Sequence, residues 1–142
     1  MNILLWVLQI LLALHTVIGA VWKFSNPAQT VPSLSAIPDR VWLAMSVFEL
    51  LCSLGLILPA FNKRLAILAP IAAAGIAAEM LLFSVLHVYS GDPNYGPVIY
   101  WLVVAAICAF IAYGRLMLKP FVGTASSSGA LHLHPDRGRA RP

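Results

Sequence analysis

The sequence predicts an all-α integral membrane protein, a four-helix bundle with both termini in the cytoplasm. Two observations carry this expectation. The 142 residues are 61% hydrophobic and only 10% charged, with a mean hydropathy of +0.87, outside the range of soluble globular domains. Four stretches, 3–22, 41–61, 65–89 and 97–118, are each close to the length that crosses a hydrocarbon core of roughly 30 Å, about 20 helical residues. Residues 1–119 then form one transmembrane domain and residues 120–142 a low-complexity tail, GTASSSGALHLHPDRGRARP at its core, expected to be disordered.

The first span has the length of a secretory signal, but no Lys or Arg precedes it, and Ile18 before Ala20 makes a poor small-x-small cleavage site. It reads as a retained helix. Basic residues set the orientation: Lys63 and Arg64 lie between spans two and three, and Arg115, Lys119, Arg137, Arg139 and Arg141 follow span four, against only Lys23 and Arg40 on the other side. The positive-inside rule places the termini and the 62–64 turn in the cytoplasm of a plasma (inner) membrane protein. Trp22, Trp42, Tyr89 and Tyr95 fall near the outer interface, and Trp6, Phe61, Tyr113 and Phe121 near the inner one, as aromatic anchors do.

The outer loop, 24–40, has too many prolines for a long helix, yet Val31, Leu34 and Ile37 suit a segment that folds back over the bundle mouth. The second turn is 90–96. In the tail, His132 and His134 have no Cys or carboxylate neighbours at helical spacing, so no metal site is expected there. The Arg-rich end suits anionic headgroups, and no nucleic-acid module is present. Cys52 and Cys108 lie in different spans, form no CxxC and read as small packing residues.

The informative feature is polar. By the rise of about 1.5 Å per helical residue, His15 lies about 13 Å below the outer end of span one, Glu49 about 12 Å below that of span two and Glu79 about 15 Å below that of span three. Three ionisable groups from three helices thus share one layer. Each belongs to a polar or small stripe: His15, Gly19 and Lys23; Ser46, Glu49, Cys52 and Ser53; Glu79, Phe83 and His87. A charge facing lipid costs roughly 2.5–3.5 kcal/mol on insertion scales, whereas an interhelical hydrogen bond contributes about 0.6 kcal/mol, so these stripes are expected to face one another. Ala73 with Ala77 and Ala74 with Ala78 form small-xxx-small pairs for close helix approach, and Pro70 is expected to bend the cytoplasmic half of span three.

Two carboxylates in a dry layer repel each other, so the layer is expected to retain a proton, shared between His15 and Glu49 or Glu79. Lys23 and His87, with Ser46, are the expected ligand-facing residues toward the outer mouth. Haem does not fit the two histidines, because His15 and His87 differ in depth by about 10 Å, while axial ligands of one iron meet it at similar depth.

Four segments carry a resemblance: WKFSNP at 22–27, ELLCSLGLILP from Glu49 to Pro59, the Glu79–His87 stretch followed by GDP, and the closing YGR of Tyr113–Arg115. In their order and spacing over residues 3–119 they resemble the DoxX-like family of small membrane proteins. The resemblance implies a four-helix membrane bundle, with Lys23, Glu49 and His87 at the positions where the family pattern carries its Lys, Glu and His; Glu79 is outside that pattern, and Cys52 stands where a glycine is more usual. Some relatives are membrane subunits of thiosulfate:quinone oxidoreductases or partners of thiol-oxidant defence enzymes. It therefore implies a redox- or quinone-linked role.

With no metal motif, dinucleotide fingerprint or dithiol, the chain carries no evident electron source. The expected function is a quinone- or redox-linked membrane subunit with a proton-handling layer of His15, Glu49 and Glu79, no cofactor of its own beyond a quinone, and a redox partner protein. The alternatives are a small proton-coupled transporter, for which a homodimer is expected, and a structural membrane scaffold.

Overall fold

The computed structural model describes residues 2–118. They form four helices: α1 (Asn2–Ser25), α2 (Asp39–Ile57), α3 (Leu68–Ser90) and α4 (Gly96–Tyr113), the last continuing into a π-helical turn, Gly114–Leu118. All four, with their short extensions, are long and apolar enough to cross a membrane. Neighbours in sequence pack side by side: α1 against α2, α2 against α3 and α3 against α4. The α1–α4 contact is thinner than any of these three. The core runs through Leu12, Leu56, Ala73, Ile76, Phe83, Val104, Cys108 and Ile111, while Ile10, Leu14, Leu51, Ile71, Val85 and Val103 point outward, where lipid would cover them. The expected tail, with His132 and His134, lies outside the described residues.

Prolines and one glycine mark the helix ends. α2 stops at Ile57, short of the expected 61, because Pro59 has no N–H to continue the ladder, and a 3₁₀ turn, Leu58–Ala60, follows. α3 starts at Leu68 rather than 65, which puts Pro70 in its first turn. Pro70 is therefore not a kink inside the span: in the first turn a missing N–H breaks no helical hydrogen bond. α3 ends at Gly91, whose φ of 73° is the left-handed cap that glycine adopts without strain.

The loop after α1 does fold back over the bundle. Its two 3₁₀ turns, Ala28–Thr30 and Pro32–Leu34, bury Ala28, Ser33 and Leu34, Ile37 is buried just after them, and the second turn packs on α3. The Trp42 indole Nε1 donates to the Asn26 carbonyl at 2.9 Å and ties the loop to α2.

Of the two expected small-residue pairs of α3, Ala73 is buried and Ala77 packs against the core. Ala74 and Ala78 are exposed on the outer face of α3. The tight contact is at Gly75, where a Cβ would stand 2.8 Å from Phe48 Cζ. The small-residue spacing was real, but one residue's rotation about the helix decides which member meets its neighbour.

Candidate functional site: a buried lysine between two carboxylates

At the loop end of α1, the helix directs Lys23 back into the bundle, because side chains tilt toward a helix's N-terminus. α2 runs the opposite way, so Glu49 is directed up toward it. Lys23 Nζ meets Glu49 Oε1 at 2.9 Å and Glu79 Oε1 at 2.6 Å, with all three side chains about 95% buried. The ammonium also stands 4.6 Å from the Phe83 ring centre and 5.1 Å from that of Trp42, where the ring faces attract a cation.

Formal charge in this centre is one positive against two negative. The Oε2 atoms of Glu49 and Glu79 are buried and accept no hydrogen bond from any described residue. Both carboxyls meet the same ammonium through Oε1. One proton between them makes the centre neutral, and neutrality is what a dry interior favours.

The centre forms part of the wall of a cavity of about 310 Å³. α1 contributes His15, Thr16, Gly19, Trp22 and Lys23; α2 Trp42 and Glu49; α3 Ile76, Met80 and Phe83; α4 Tyr100 and Trp101; the loop closes it with Val31 and Leu34. A line of rings, Trp22, Trp42, Phe83, Trp101 and His87, with centres 5.6–6.5 Å apart, crosses the bundle beside it. Gly19 is the window onto the carboxylate: a Cβ there would lie 3.8 Å from both Glu49 oxygens, with no other heavy atom within 4 Å. Exposed Ile18, Trp22 and Tyr100 mark the side opening. A second, almost wholly apolar hollow of about 220 Å³ runs on down the α1–α4 seam past Leu8, Leu11, Leu12, Val104 and Ile107, and shares His15 and Tyr100 with the first.

The expected site residues separate into two groups. Glu49, Glu79 and Lys23 come together, but Lys23 is part of the centre rather than a station above it. His15 lines the cavity with Glu49, and its hydrogen-bond partner is the Tyr100 hydroxyl, through Nε2, where a carboxylate was expected; the two rings meet edge to face at 5.5 Å. Ser46 and His87 do not line the cavity. The Ser46 hydroxyl donates to the Trp42 carbonyl one turn back at 3.1 Å, and His87 Nε2 donates to the Asn94 carbonyl at 2.7 Å, locking the α3–α4 connection.

Trp42, expected as an interface anchor, is 2% exposed and forms a wall of the site. Tyr100 had no role in the sequence reading, although a hydroxyl in an otherwise apolar span needs a partner. A second buried polar knot was also missed. At the other end of the bundle Gln9 Nε2 donates to the Leu56 carbonyl, Arg115 Nε donates to Gln9 Oε1 at 2.9 Å, and the Arg115 guanidinium lies 4.6 Å from the Trp6 ring centre. Arg115, counted by sequence as a cytoplasmic surface charge, is buried.

Comparison with known families matches the chain to the DoxX-like family over residues 7–111. No curated protein and no solved structure matches the chain. With four apolar spans and a family match over most of its length, the chain is a multi-pass membrane protein of the DoxX-like family.

Proposed function

We propose that this protein is a quinone-linked membrane subunit, in which the cavity receives the planar head of a lipid-soluble quinone and the Lys23–Glu49–Glu79 centre holds and hands over protons. The observation that carries this reading is the pairing of an aromatic cavity with an apolar seam. The cavity falls in the roughly 300–1,000 Å³ range of small-molecule sites, offers hydrogen-bonding groups at Lys23, His15 and Tyr100, and presents the Glu49 carboxyl through the Gly19 window. The seam beyond His15 and Tyr100 suits an alkyl or isoprenoid tail. A ligand would reach both from the side, without leaving the bilayer.

The residues fit such a head group: flat rings for its faces, donors for its carbonyls, and a buried acceptor pair that already favours holding one proton. A bound quinone supplies the redox chemistry, with electrons delivered by a partner protein. The chain's own residues position the head, exclude water with the 26–38 loop, and transfer a proton from the Glu49 carboxyl past Gly19. Native mass spectrometry of gently extracted protein tests this. A retained quinone, or a co-purifying redox protein, supports it; a chain that carries neither and does not take up an added quinone contradicts it.

A proton-coupled transporter is the second reading, favoured by one observation. Glu79 also lines a groove of about 270 Å³ on the α2–α3 face, beside Met45, Phe48 and Leu82, so the centre is approached from two sides. Uptake into vesicles driven by a pH gradient distinguishes this reading, and a homodimer is expected with it.

A further inference from the structure

Lys23 belongs to two spaces at once. Besides the membrane cavity, it lines a separate hollow of about 240 Å³ at the loop end of the bundle, together with Phe24, Ser25, Asn26, Asp39 and Leu43. Trp42 is the only other residue common to both. Its indole, held by the Asn26 carbonyl, stands beside the ammonium and forms the partition. The hollow lies between the last turn of α1 and the first turns of α2, and the exposed Asp39 is on its rim. A proton-handling centre needs a route to water, and of the spaces that touch this one the hollow is edged by Ser25, Asn26 and the exposed Asp39.

We propose that the hollow is the aqueous inlet of the centre, that Lys23 is the relay between the two spaces, and that Asp39 collects protons for it. This deepens the reading of the centre as proton-handling and rests on it. The step balances as follows: an Nζ–H bond of Lys23 breaks as an Oε–H bond forms on Glu49 or Glu79, and the amine left on Lys23 takes a proton from water in the hollow. Asp39 in turn takes up a proton from bulk water and passes it to that water. The net change is one proton moved from solvent to the carboxyl pair. The bland alternative for Asp39 is that its charge only stabilises the N-terminus of α2, where an acid in the first turn is favourable.

Hydrogen–deuterium exchange of the protonated carboxyl, followed by its infrared C=O band in reconstituted protein, separates these. The band is assigned by its loss in Glu49→Gln and Glu79→Gln. Filling the hollow with Ser25→Trp or, independently, Leu43→Trp is expected to slow exchange about ten-fold or more, as is Asp39→Asn, the loss typical of removing a positioned proton-transfer group being at least that large. Asp39→Glu is expected to restore it, and Tyr89→Trp, at the same end but away from the hollow, to leave it at the native rate. A merely structural Asp39 would change unfolding temperature and leave exchange untouched, which would overturn its role. Native exchange in both filled variants would overturn the inlet while leaving the quinone reading standing. Absence of any such band in the native protein would overturn the proton-holding centre itself.

Discussion

Lys23→Met removes the cation from between Glu49 and Glu79 while keeping the length and apolar stem of the side chain. Both carboxyls are about 95% buried, so water cannot take over from the lost contacts at 2.9 and 2.6 Å. Deleting one partner of a buried ion pair costs about 3–5 kcal/mol. At about 4 °C per kcal/mol for a chain of this size, the unfolding midpoint should fall by roughly 12–20 °C. Cys52 and Cys108 are free and buried, so a fluorogenic maleimide that reacts as they become exposed reports unfolding directly. The companion Lys23→Met, Glu49→Gln, Glu79→Gln variant replaces the whole cluster with neutral groups and should recover most of the loss, since exchanging a buried ionic cluster for neutral residues is close to neutral. A Lys23→Met midpoint equal to that of the native protein, or a triple variant no more stable than the single one, would show that Lys23 does not neutralise the two buried carboxyls.

Other perturbations follow from the same contacts. Gly114→Ala would place a Cβ 2.6 Å from Leu5 Cδ2 and should cost about 1–3 kcal/mol by overpacking, with Leu5→Ala in the same chain relieving part of it in the maleimide assay. Gln9→Leu strips the Leu56 carbonyl and Arg115 Nε of their shared partner and should cost about 1–3 kcal/mol, read as a lower midpoint with no change in quinone binding. Tyr100→Phe removes the hydrogen bond to His15; its stability effect should be only about 0.5–1.5 kcal/mol, while quinone affinity measured by titration falls. A scaffold without a ligand predicts no change in that affinity because none would exist.

The spans were legible because their length and apolarity are properties of composition, and the Glu49 and Glu79 layer was legible because charges in spans are costly wherever they sit. What was not legible depends on direction. Depth counted along helix axes placed Lys23 about two turns above His15 and so above the centre. It ignored that α1 tilts the long lysine stem inward while α2 tilts Glu49 toward it, which is enough to bring them into contact. For the same reason the place of Trp42 near a helix end suggests an interface anchor, although its face of α2 turns inward beside Ser46 and Glu49. The Gln9–Arg115 knot pairs residues 106 apart in sequence; nothing local distinguishes a buried arginine at a helix end from a surface one. The cavity is likewise invisible in sequence, since its walls come from all four helices and the loop.

Binding of a quinone head in the cavity against the lysine–carboxylate centre can be measured by titrating the reconstituted protein with a decyl-substituted benzoquinone and following tryptophan fluorescence. Trp22, Trp42 and Trp101 line the cavity, so a bound quinone lies in contact with three of the four tryptophans of the chain. Saturable quenching is expected, and it is abolished in Gly19→Leu, whose side chain would occupy the window onto Glu49, while that variant retains its helical signal. Quenching that rises linearly without saturation, and equally in Gly19→Leu, would contradict it.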